Sequence, residues 1–279
     1  MFKDILVPLT GTPGDADAIR AALALASAFD AHVAMLEMIN LPMLSSGPWG
    51  LMPDVGLVDI YRELRSRGAR NVAELKAQLA NEPVPTEVRL VESLYQEPHR
   101  VAAHCAHYAD LAVLASSAGT VEPDLTHAYA GALLVESGRP VLAVPPGCQA
   151  PMPPRRIVAA WKPTREATRA FHDAMPFFKQ AESVDILILN PRGGERGHGE
   201  QPGADIAMHL LRHGVRADVV VLPAGEETIG SEINRHASQT GANLLVAGGY
   251  GHSRLQEWAL GGVTRELLEM AKLPVLFSH

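Results

Sequence analysis

The chain contains an internal duplication, and this feature constrains its fold more than any other. Apolar segments of the first half recur in the second half in the same order. The matching pairs are Lys3–Val7 with Arg155–Ala159, Asp110–Leu114 with Asn243–Ala247, and Arg139–Leu142 with Leu273–Leu276. With 279 residues, the chain has room for two domains of roughly 130–150 residues each. We therefore expect two similar domains that follow one another in the sequence.

Each half alternates strand-like and helix-like patterns. The first strand of each half is followed by an alanine-rich helical pattern, Ala18–Phe29 in one half and Ala167–Phe178 in the other. The strands predicted for the second half are Arg156–Trp161, Val184–Asn190, Ala217–Leu222, Asn243–Gly248 and Pro274–Phe277. Strands that alternate with helices predict a parallel sheet with helices on both faces. The expected fold is α/β, with a five-stranded, Rossmann-like sheet in each half.

The proline-rich segment between the halves predicts a stiff linker. We place the first domain at residues 1–145, the linker at 146–154 and the second domain at 155–279. The offset between the halves is 152 at Ile5 and Ile157 but 133 at Leu111 and Leu244, so the first half contains about 19 additional residues. The irregular segment Leu41–Asp59 is where we expect them, as a lid or a dimer contact.

Composition excludes several classes of protein. The net charge of −7 gives no basic excess, which argues against a nucleic-acid partner. No apolar stretch is long enough for a membrane-spanning helix, and Met1–Asp4 leads directly into a strand-like segment without a signal peptide. These observations predict no membrane association and a cytoplasmic protein. Cys105 and Cys148 form neither a CxxC motif nor a disulfide framework.

A glycine-rich segment in the second half has the pattern of an anion-binding loop. Gly248-Gly249-Tyr250-Gly251 follows a strand-like run, and Gly261-Gly262-Val263-Thr264 precedes a helical pattern. Glycines allow main-chain N–H groups to approach an anion, and a helix directs its positive end to the same place. The alternative is that these glycines serve the close packing of a strand against a helix. A ligand is expected where the loops after the first and fourth strands meet, at the switch point of the sheet.

These residues resemble the universal stress protein family, whose nucleotide-binding members carry G-x2-G-x9-G-[S/T] after the fourth strand. Gly248, Gly251 and Gly261 fit the three glycines, whereas Gly262 replaces the Ser/Thr. The resemblance spans the chain as a tandem pair of domains. It implies the adenine nucleotide alpha hydrolase-like form of the Rossmann-like fold. It also implies an ATP-binding regulatory module of the stress response, with Mg²⁺ accompanying ATP.

The family pattern also has an aspartate after the first strand, which lies against the adenosine part of a bound nucleotide. That position is Thr10 in the first half and Lys162 in the second. The phosphate loop of the first half reads Ala115-Ser116-Ser117-Ala118, in which methyl groups obstruct the approach of a phosphate to the main chain. We therefore predict that the first half does not bind ATP in the manner of the family.

Carried over residue by residue, the resemblance implies a single nucleotide site in the second half. The phosphates would lie against Gly248, Tyr250, Gly251, Gly261, Gly262 and Val263, and the base near Ala160, Trp161, Lys162 and Leu189. His252 and Ser253 belong to the same loop and contact phosphate in one interpretation, or form ordinary polar surface in the other. Trp161 has two interpretations as well, stacking on a base or packing in the core.

A histidine group on a predicted helix offers a second candidate site. His99, His104 and His107 accompany Cys105, and the spacing of His104 and His107 suits a metal. The alternative is a helix whose core-facing stripe is Val101, Cys105 and Tyr108, with the histidines beside it. The second interpretation is favoured, and no metal is expected.

No catalytic motif is present, so we do not expect an enzyme, although slow ATP hydrolysis stays open. The first hypothesis is therefore a nucleotide-binding regulatory module. The second is a nucleotide-free interaction or structural protein, or a protein that binds another small ligand in altered pockets. The apolar last strands, Pro140–Val144 and Pro274–Phe277, can pair within the chain, as a pseudo-dimer, or between chains, as a homodimer.

Overall fold

The computed structural model of the protein describes residues 1–41, 55–119, 123–191, 200–223, 225, 227–249 and 261–279. The elements of the first half are β1 (Asp4–Pro8), α1 (Asp15–Phe29), β2 (His32–Asn40), α2 (Val55–Leu79), β3 (Thr86–Ser93), α3 (Pro98–Ala106), β4 (Leu111–Ala115), α4 (Pro123–Glu136) and β5 (Val141–Val144). Those of the second half are β6 (Arg156–Ala160), α5 (Arg165–Asp173), α6 (Met175–Phe178), β7 (Ser183–Leu189), α7 (Ala204–Arg212), β8 (Asp218–Leu222), α8 (Ile229–Thr240), β9 (Leu244–Gly248), α9 (Gly262–Met270) and β10 (Val275–Ser278).

All ten strands belong to one continuous sheet, in the order β3-β2-β1-β4-β5-β10-β9-β6-β7-β8. Each half contributes five parallel strands in the same relative order. The halves meet at the centre, where β10 pairs antiparallel with β5 and Leu276 lies opposite Leu142. The predicted α/β fold with two five-stranded parallel units is confirmed, and the last strands pair within the chain.

Helices cover both faces of the sheet, as alternating strands and helices require. Buried side chains of α1, α2, α5, α6 and α7 share one core with one face of the strands. Those of α3, α4, α8 and α9 share a second core on the opposite face. The first core crosses the boundary between the halves, because the Phe177 ring lies 5.0 Å from that of Phe2 and 5.9 Å from that of Phe29. Full burial of such a ring contributes about 1.5–3 kcal/mol.

The strand predictions are correct to within one residue at each end, and the helical segment predicted at Ala167–Phe178 is helical but divided. Two helices occupy this segment, α5 and the single turn α6, and Ala174 separates them. Pro176 lies in the first turn of α6. Since proline has no N–H and its ring clashes with the preceding turn, it starts a helix more readily than it continues one.

The additional length of the first half is largely helical. Helix α2 has 25 residues, whereas its counterpart α7 has 9. The predicted irregular segment Leu41–Asp59 therefore ends too late, because Val55 already begins α2. Residues 42–54 lie outside the described part of the chain, and a lid or dimer contact there stays a prediction. No helix in the described ranges is both long enough and apolar enough to cross a membrane.

Candidate functional site

The sheet order places the carboxyl ends of β6 and β9 side by side, since these strands pair in parallel. The chain leaves β6 towards α5 on one face of the sheet, and it leaves β9 towards α9 on the other. Adjacent strands whose connections leave on opposite faces create a crevice at their carboxyl ends, where α/β proteins bind ligands. This switch point is the candidate site.

Helix α9 begins at this crevice with two glycines that packing does not require. A β-carbon on Gly262 would meet no atom of the described residues within 4 Å, and one on Gly261 would meet, among those residues, the Thr264 hydroxyl at 4.0 Å. Gly261 has φ −56°, and Gly262 has no positive φ. Neither the described neighbours nor the backbone conformation therefore requires glycine here, and the first main-chain N–H groups of α9 have no partner within the helix. Val263, the next residue, is half-buried against the second core.

Gly248 has a structural reason to be glycine. A β-carbon there would lie 2.7 Å from the main-chain nitrogen of Ala167 and 2.8 Å from the carbonyl carbon of Glu166, at the start of α5. In the first half, the equivalent strand position is Ala115, and the equivalent helix position is Gly14. A β-carbon on Gly14 would lie 2.9 Å from that of Ala115. Both halves thus bring the end of the fourth strand close to the start of the first helix. In the second half, the glycine of this contact lies in the strand, whereas in the first half it lies at the start of the helix.

The side chains expected near a base lie on different faces of β6 and β7. Ala160 and Leu189 are half-buried beside the second core. Trp161 packs against the first core, with its ring edge-to-face with Phe171 at 4.9 Å. The main-chain N–H of Trp161 donates to Leu187 at 2.8 Å, which continues the ladder of the sheet. The geometry of Trp161 thus matches the core interpretation, whereas Ala160 and Leu189 border the crevice.

The loop after β6 leads into α5 through a capped helix start. Lys162 is exposed, and its carbonyl accepts a hydrogen bond from the N–H of Thr164 at 2.7 Å. The Thr164 hydroxyl accepts from the N–H of Ala167 at 3.3 Å and caps the helix. Glu166 lies against Gly248 and forms an ion pair with Arg165 at 3.7 Å. The close approach of Glu166 to Gly248 is a contact that the glycine pattern alone does not predict.

Four candidate residues, Tyr250, Gly251, His252 and Ser253, lie outside the described part of the chain, and their contribution stays a prediction. The preceding residue, Gly249, is bonded to the last strand of the chain. The N–H of Gly249 donates to the carbonyl of Ser278 at 2.8 Å. A β-carbon on Gly249 would approach Leu134 of the first half to 3.3 Å. Helix α4 of the first half therefore forms part of the wall behind the glycine loop of the second.

In the first half, the main-chain N–H groups of the loop after β1 donate to a side chain of the same half. The Asp15 carboxylate accepts from the N–H of Thr10 at 2.9 Å, from the N–H of Gly11 at 2.8 Å and from the Thr10 hydroxyl at 2.8 Å. Burial raises the pKa of the Asp15 carboxyl above its ordinary value, and the hydrogen bonds from Thr10 and Gly11 oppose this rise. A carboxylate of the chain itself thus lies where the main-chain donors of this loop converge.

The fourth loop of the first half is bonded to the second half. The hydroxyl of Ser117 lies 3.1 Å from Nε2 of His127 and donates to the carbonyl of Leu268, in α9, at 3.2 Å. The same imidazole nitrogen lies 3.6 Å from a carboxylate oxygen of Glu269. Burial lowers the pKa of His127. Because hydroxyl and carboxylate share one ring nitrogen, the three groups lack the relay geometry of a Ser-His-acid triad.

The histidine helix differs from its prediction. The buried residues of α3 are His99, Ala102, Ala103 and Ala106, whereas Tyr108 is 82% exposed and lies beyond the end of the helix. The predicted stripe of Val101, Cys105 and Tyr108 is wrong because small alanines, rather than the larger residues, allow this helix to pack closely on the sheet. His104 and His107 are exposed, with ring centroids 5.5 Å apart. In the described ranges, no three His, Cys, Asp or Glu side chains are grouped as a metal site requires.

The fold and the crevice define a class of proteins, those with two tandem Rossmann-like units joined edge to edge in one sheet. Residues 154–279 match the sequence model of the universal stress protein family. The match identifies the C-terminal half of the chain as a universal stress protein domain. No curated protein sequence matches the chain.

Solved structures extend the similarity to the whole chain. A universal stress protein from Archaeoglobus fulgidus DSM 4304 is similar with a TM-score of 0.72 and 15% identity, over 99% of this chain and 95% of that chain. A putative universal stress protein from Pseudomonas aeruginosa UCBPP-PA14 is similar with a TM-score of 0.59 and 14% identity, over 99% and 92% of the two chains. At these identities, the likeness concerns the fold alone.

Proposed function

We propose that the protein is a regulatory module of the stress response that binds ATP or a related nucleotide at the crevice of its C-terminal half. The observation that carries this proposal is the start of α9. Neither the described neighbours nor the backbone conformation requires glycine at Gly261 and Gly262, and both lie at the positive end of a helix. A phosphate group suits this combination of residues without side chains, N–H donors without a partner in the helix and positive potential.

The other end of the crevice suits a flat, mostly apolar group. Ala160 and Leu189 are half-buried at the carboxyl ends of adjacent strands. Lys162 is exposed in the loop that follows β6, where the family pattern has an aspartate. A cation at this position favours the phosphates or the ribose of a ligand over an amino group of the base. Mg²⁺ would enter with the nucleotide, held mainly by phosphate oxygens and water.

The first half is proposed not to bind nucleotide. The Asp15 carboxylate already accepts the N–H groups of its first loop, and an approaching phosphate would meet a like charge. The hydroxyl of Ser117 is engaged with His127 and with Leu268 of the other half. A nucleotide would have to displace both sets of contacts.

A regulatory role is favoured over ATP hydrolysis because none of the described residues at the crevice is assigned as a catalytic acid, base or nucleophile. The bound state would then be the signal, transmitted through α9. The first turn of this helix borders the crevice, and its last turn accepts a hydrogen bond from Ser117 of the first half. A ligand that favours one position of α9 would thereby shift the contact between the halves.

A nucleotide-free interaction protein is the second candidate. Two of the residues that suggested a nucleotide have structural roles, since Gly248 accommodates α5 and Trp161 packs on Phe171. In this case, the crevice would take another small ligand or none.

Titration calorimetry with ATP and Mg²⁺ distinguishes the two candidates. Gly262→Glu places a carboxylate at the start of α9 and should weaken ATP binding at least about tenfold, a loss of about 1.4 kcal/mol. Gln239→Glu is the matched control, since it adds the same charge at an exposed position near the end of α8, which leads to the start of β9 rather than to its carboxyl end. Failure of the wild type to bind at millimolar ATP would contradict the proposal. Equal binding by both variants would place the nucleotide elsewhere.

A further inference from the structure

The continuous sheet has two edges, and they differ in chemistry. Strands β5 and β10 pair with each other at the centre, so β3 and β8 are the outermost strands of the described sheet. Edge strands present unpaired N–H and C=O groups that another chain can use, and proteins commonly protect them with charged side chains.

The β3 edge carries such protection. Arg89 forms an ion pair with Glu87, and Arg65 of α2 reaches Glu92 with a 2.8 Å ion pair. A strand added to this edge would have to accommodate charged side chains of both signs and desolvate their ion pairs.

The β8 edge is apolar. Its sequence is Asp-Val-Val-Val-Leu, and Val219 and Val221 are 38% and 43% exposed. Within the described ranges, β8 pairs with β7 alone. The carbonyl of Leu222 accepts from the N–H of Asn190, so Leu222 directs its main-chain groups towards β7. Because these directions alternate along a strand, Val219 and Val221 direct theirs away from the sheet.

Helix α7 adds apolar surface beside this edge. Met208 and Leu211 are 47% and 50% exposed, while Ile206 and Leu210 are buried. Helical spacing places Leu211 on one flank of α7 and His209 on the other, with Met208 facing away from the core. A right-handed connection from β7 through α7 to β8 turns the flank of Leu211 towards the β8 edge. The exposed valines and Leu211 thus adjoin a row of open main-chain groups.

We propose that this surface is a homodimer interface, in which β8 of one copy pairs antiparallel with β8 of a second copy. The two-fold axis passes beside Val220, and Val219 of each copy lies opposite Val221 of the other. This arrangement pairs both outward N–H groups and both outward C=O groups of each strand, so the edge is complementary to itself. It also places β-branched side chains opposite each other, a favourable cross-strand combination.

Charge favours a second copy over an unrelated acidic or basic partner. The described part of the edge bears one charge, that of Asp218, and antiparallel pairing places Asp218 opposite Leu222 rather than opposite another Asp218. Each chain has a net charge of −7, so the two copies repel at long range while the contact surface itself is nearly neutral. Added salt should therefore strengthen the dimer.

Sedimentation velocity of the full chain, without nucleotide, tests the interface. The weight-average mass should rise from 29.9 kDa towards twice that value with increasing protein concentration. Val221→Pro removes an outward N–H without removing a bond to β7 and should raise the dissociation constant at least about tenfold. Val221→Lys serves as a second variant with the same expectation. Val135→Lys, on a 53% exposed valine of α4, is the matched control and should dimerise like the wild type.

Three results would overturn the proposal. They are a wild type that stays at 29.9 kDa near millimolar concentration, a Val221→Lys variant that folds and dimerises like the wild type, and a mass that rises beyond the dimer. Circular dichroism establishes that each variant folds. Because the measurement contains no nucleotide, its outcome is independent of the proposed ATP site.

Discussion

The substitution Gly248→Ala tests whether the first glycine of the loop is required for packing, independently of any role in ligand binding. The added methyl group would lie 2.7 Å from the main-chain nitrogen of Ala167 and 2.8 Å from the carbonyl carbon of Glu166. These are main-chain atoms at the start of a helix, so they cannot yield by a change of side-chain rotamer. Overpacking of this kind costs about 1–3 kcal/mol. At about 2–4 °C per kcal/mol for a chain of this order of size, the melting temperature should fall by several degrees.

Denaturant unfolding without nucleotide measures the effect, with Gly262→Ala as the control. Gly262 has no close neighbour among the described residues and no positive φ, and it is the first residue of α9. Alanine there should leave the free energy of unfolding unchanged or raise it by up to about 1 kcal/mol. If Gly248→Ala is as stable as Gly262→Ala, the packing explanation of Gly248 is wrong.

A double mutant sharpens the test. Glu166→Gly together with Gly248→Ala copies the first half, in which Gly14 faces Ala115. Glu166→Gly removes the β-carbon of Glu166, which would lie 3.0 Å from the added methyl group, and should recover part of the stability that Gly248→Ala loses, although α5 loses about 0.5–1 kcal/mol from a new glycine. The coupling energy of the double-mutant cycle isolates the contact. Strict additivity would mean that the two positions do not meet.

Two further predictions concern the first half. Asp15→Asn should lower the free energy of unfolding by about 1–3 kcal/mol in denaturant titrations, because an amide has one acceptor oxygen, whereas the carboxylate uses one oxygen for the N–H of Gly11 and the other for the Thr10 hydroxyl; unchanged stability would show that water replaces these bonds. Since burial lowers the pKa of His127 below its ordinary value of 6.5, the stability that its neutral form provides is present above that value and lost as the pH falls through the lower folded pKa. Melting temperatures measured from about pH 7.5 to pH 5 should therefore fall less in His127→Gln than in the wild type, and parallel curves would contradict this.

The sheet was predictable from sequence because its signals are local and duplicated. Apolar runs such as Leu244–Gly248 are buried on both faces, so their composition identifies them without knowledge of their neighbours. The buried faces of the helices were less predictable, because close packing determines which face is buried. On α3, burial follows the small residues Ala102, Ala103 and Ala106, and a search for large apolar residues selects the wrong face.

The candidate site was predictable only in its location. The order of strands, which follows from the alternating pattern, determines where loops meet. The role of each glycine depends on atoms that are distant in sequence. Gly248 and Gly262 belong to one motif, yet one is packed against α5 and the other has no close neighbour among the described residues. Alignment of the two halves indicates this difference, because Gly14 aligns with Glu166 and Ala115 aligns with Gly248. Each half thus has one glycine at this contact, on the strand or before the helix.

The pairing of β5 with β10 inside one chain has a consequence for how the two halves can diverge. Residues 145–155 connect the two halves, so the last strands of the halves meet at an effective concentration on the order of millimolar. Their association no longer depends on expression level, as it would for separate subunits. A mutation in the crevice of one half therefore leaves the crevice of the other half unchanged. The first half can lose a ligand and acquire the Asp15 and Ser117 contacts while it continues to support the second.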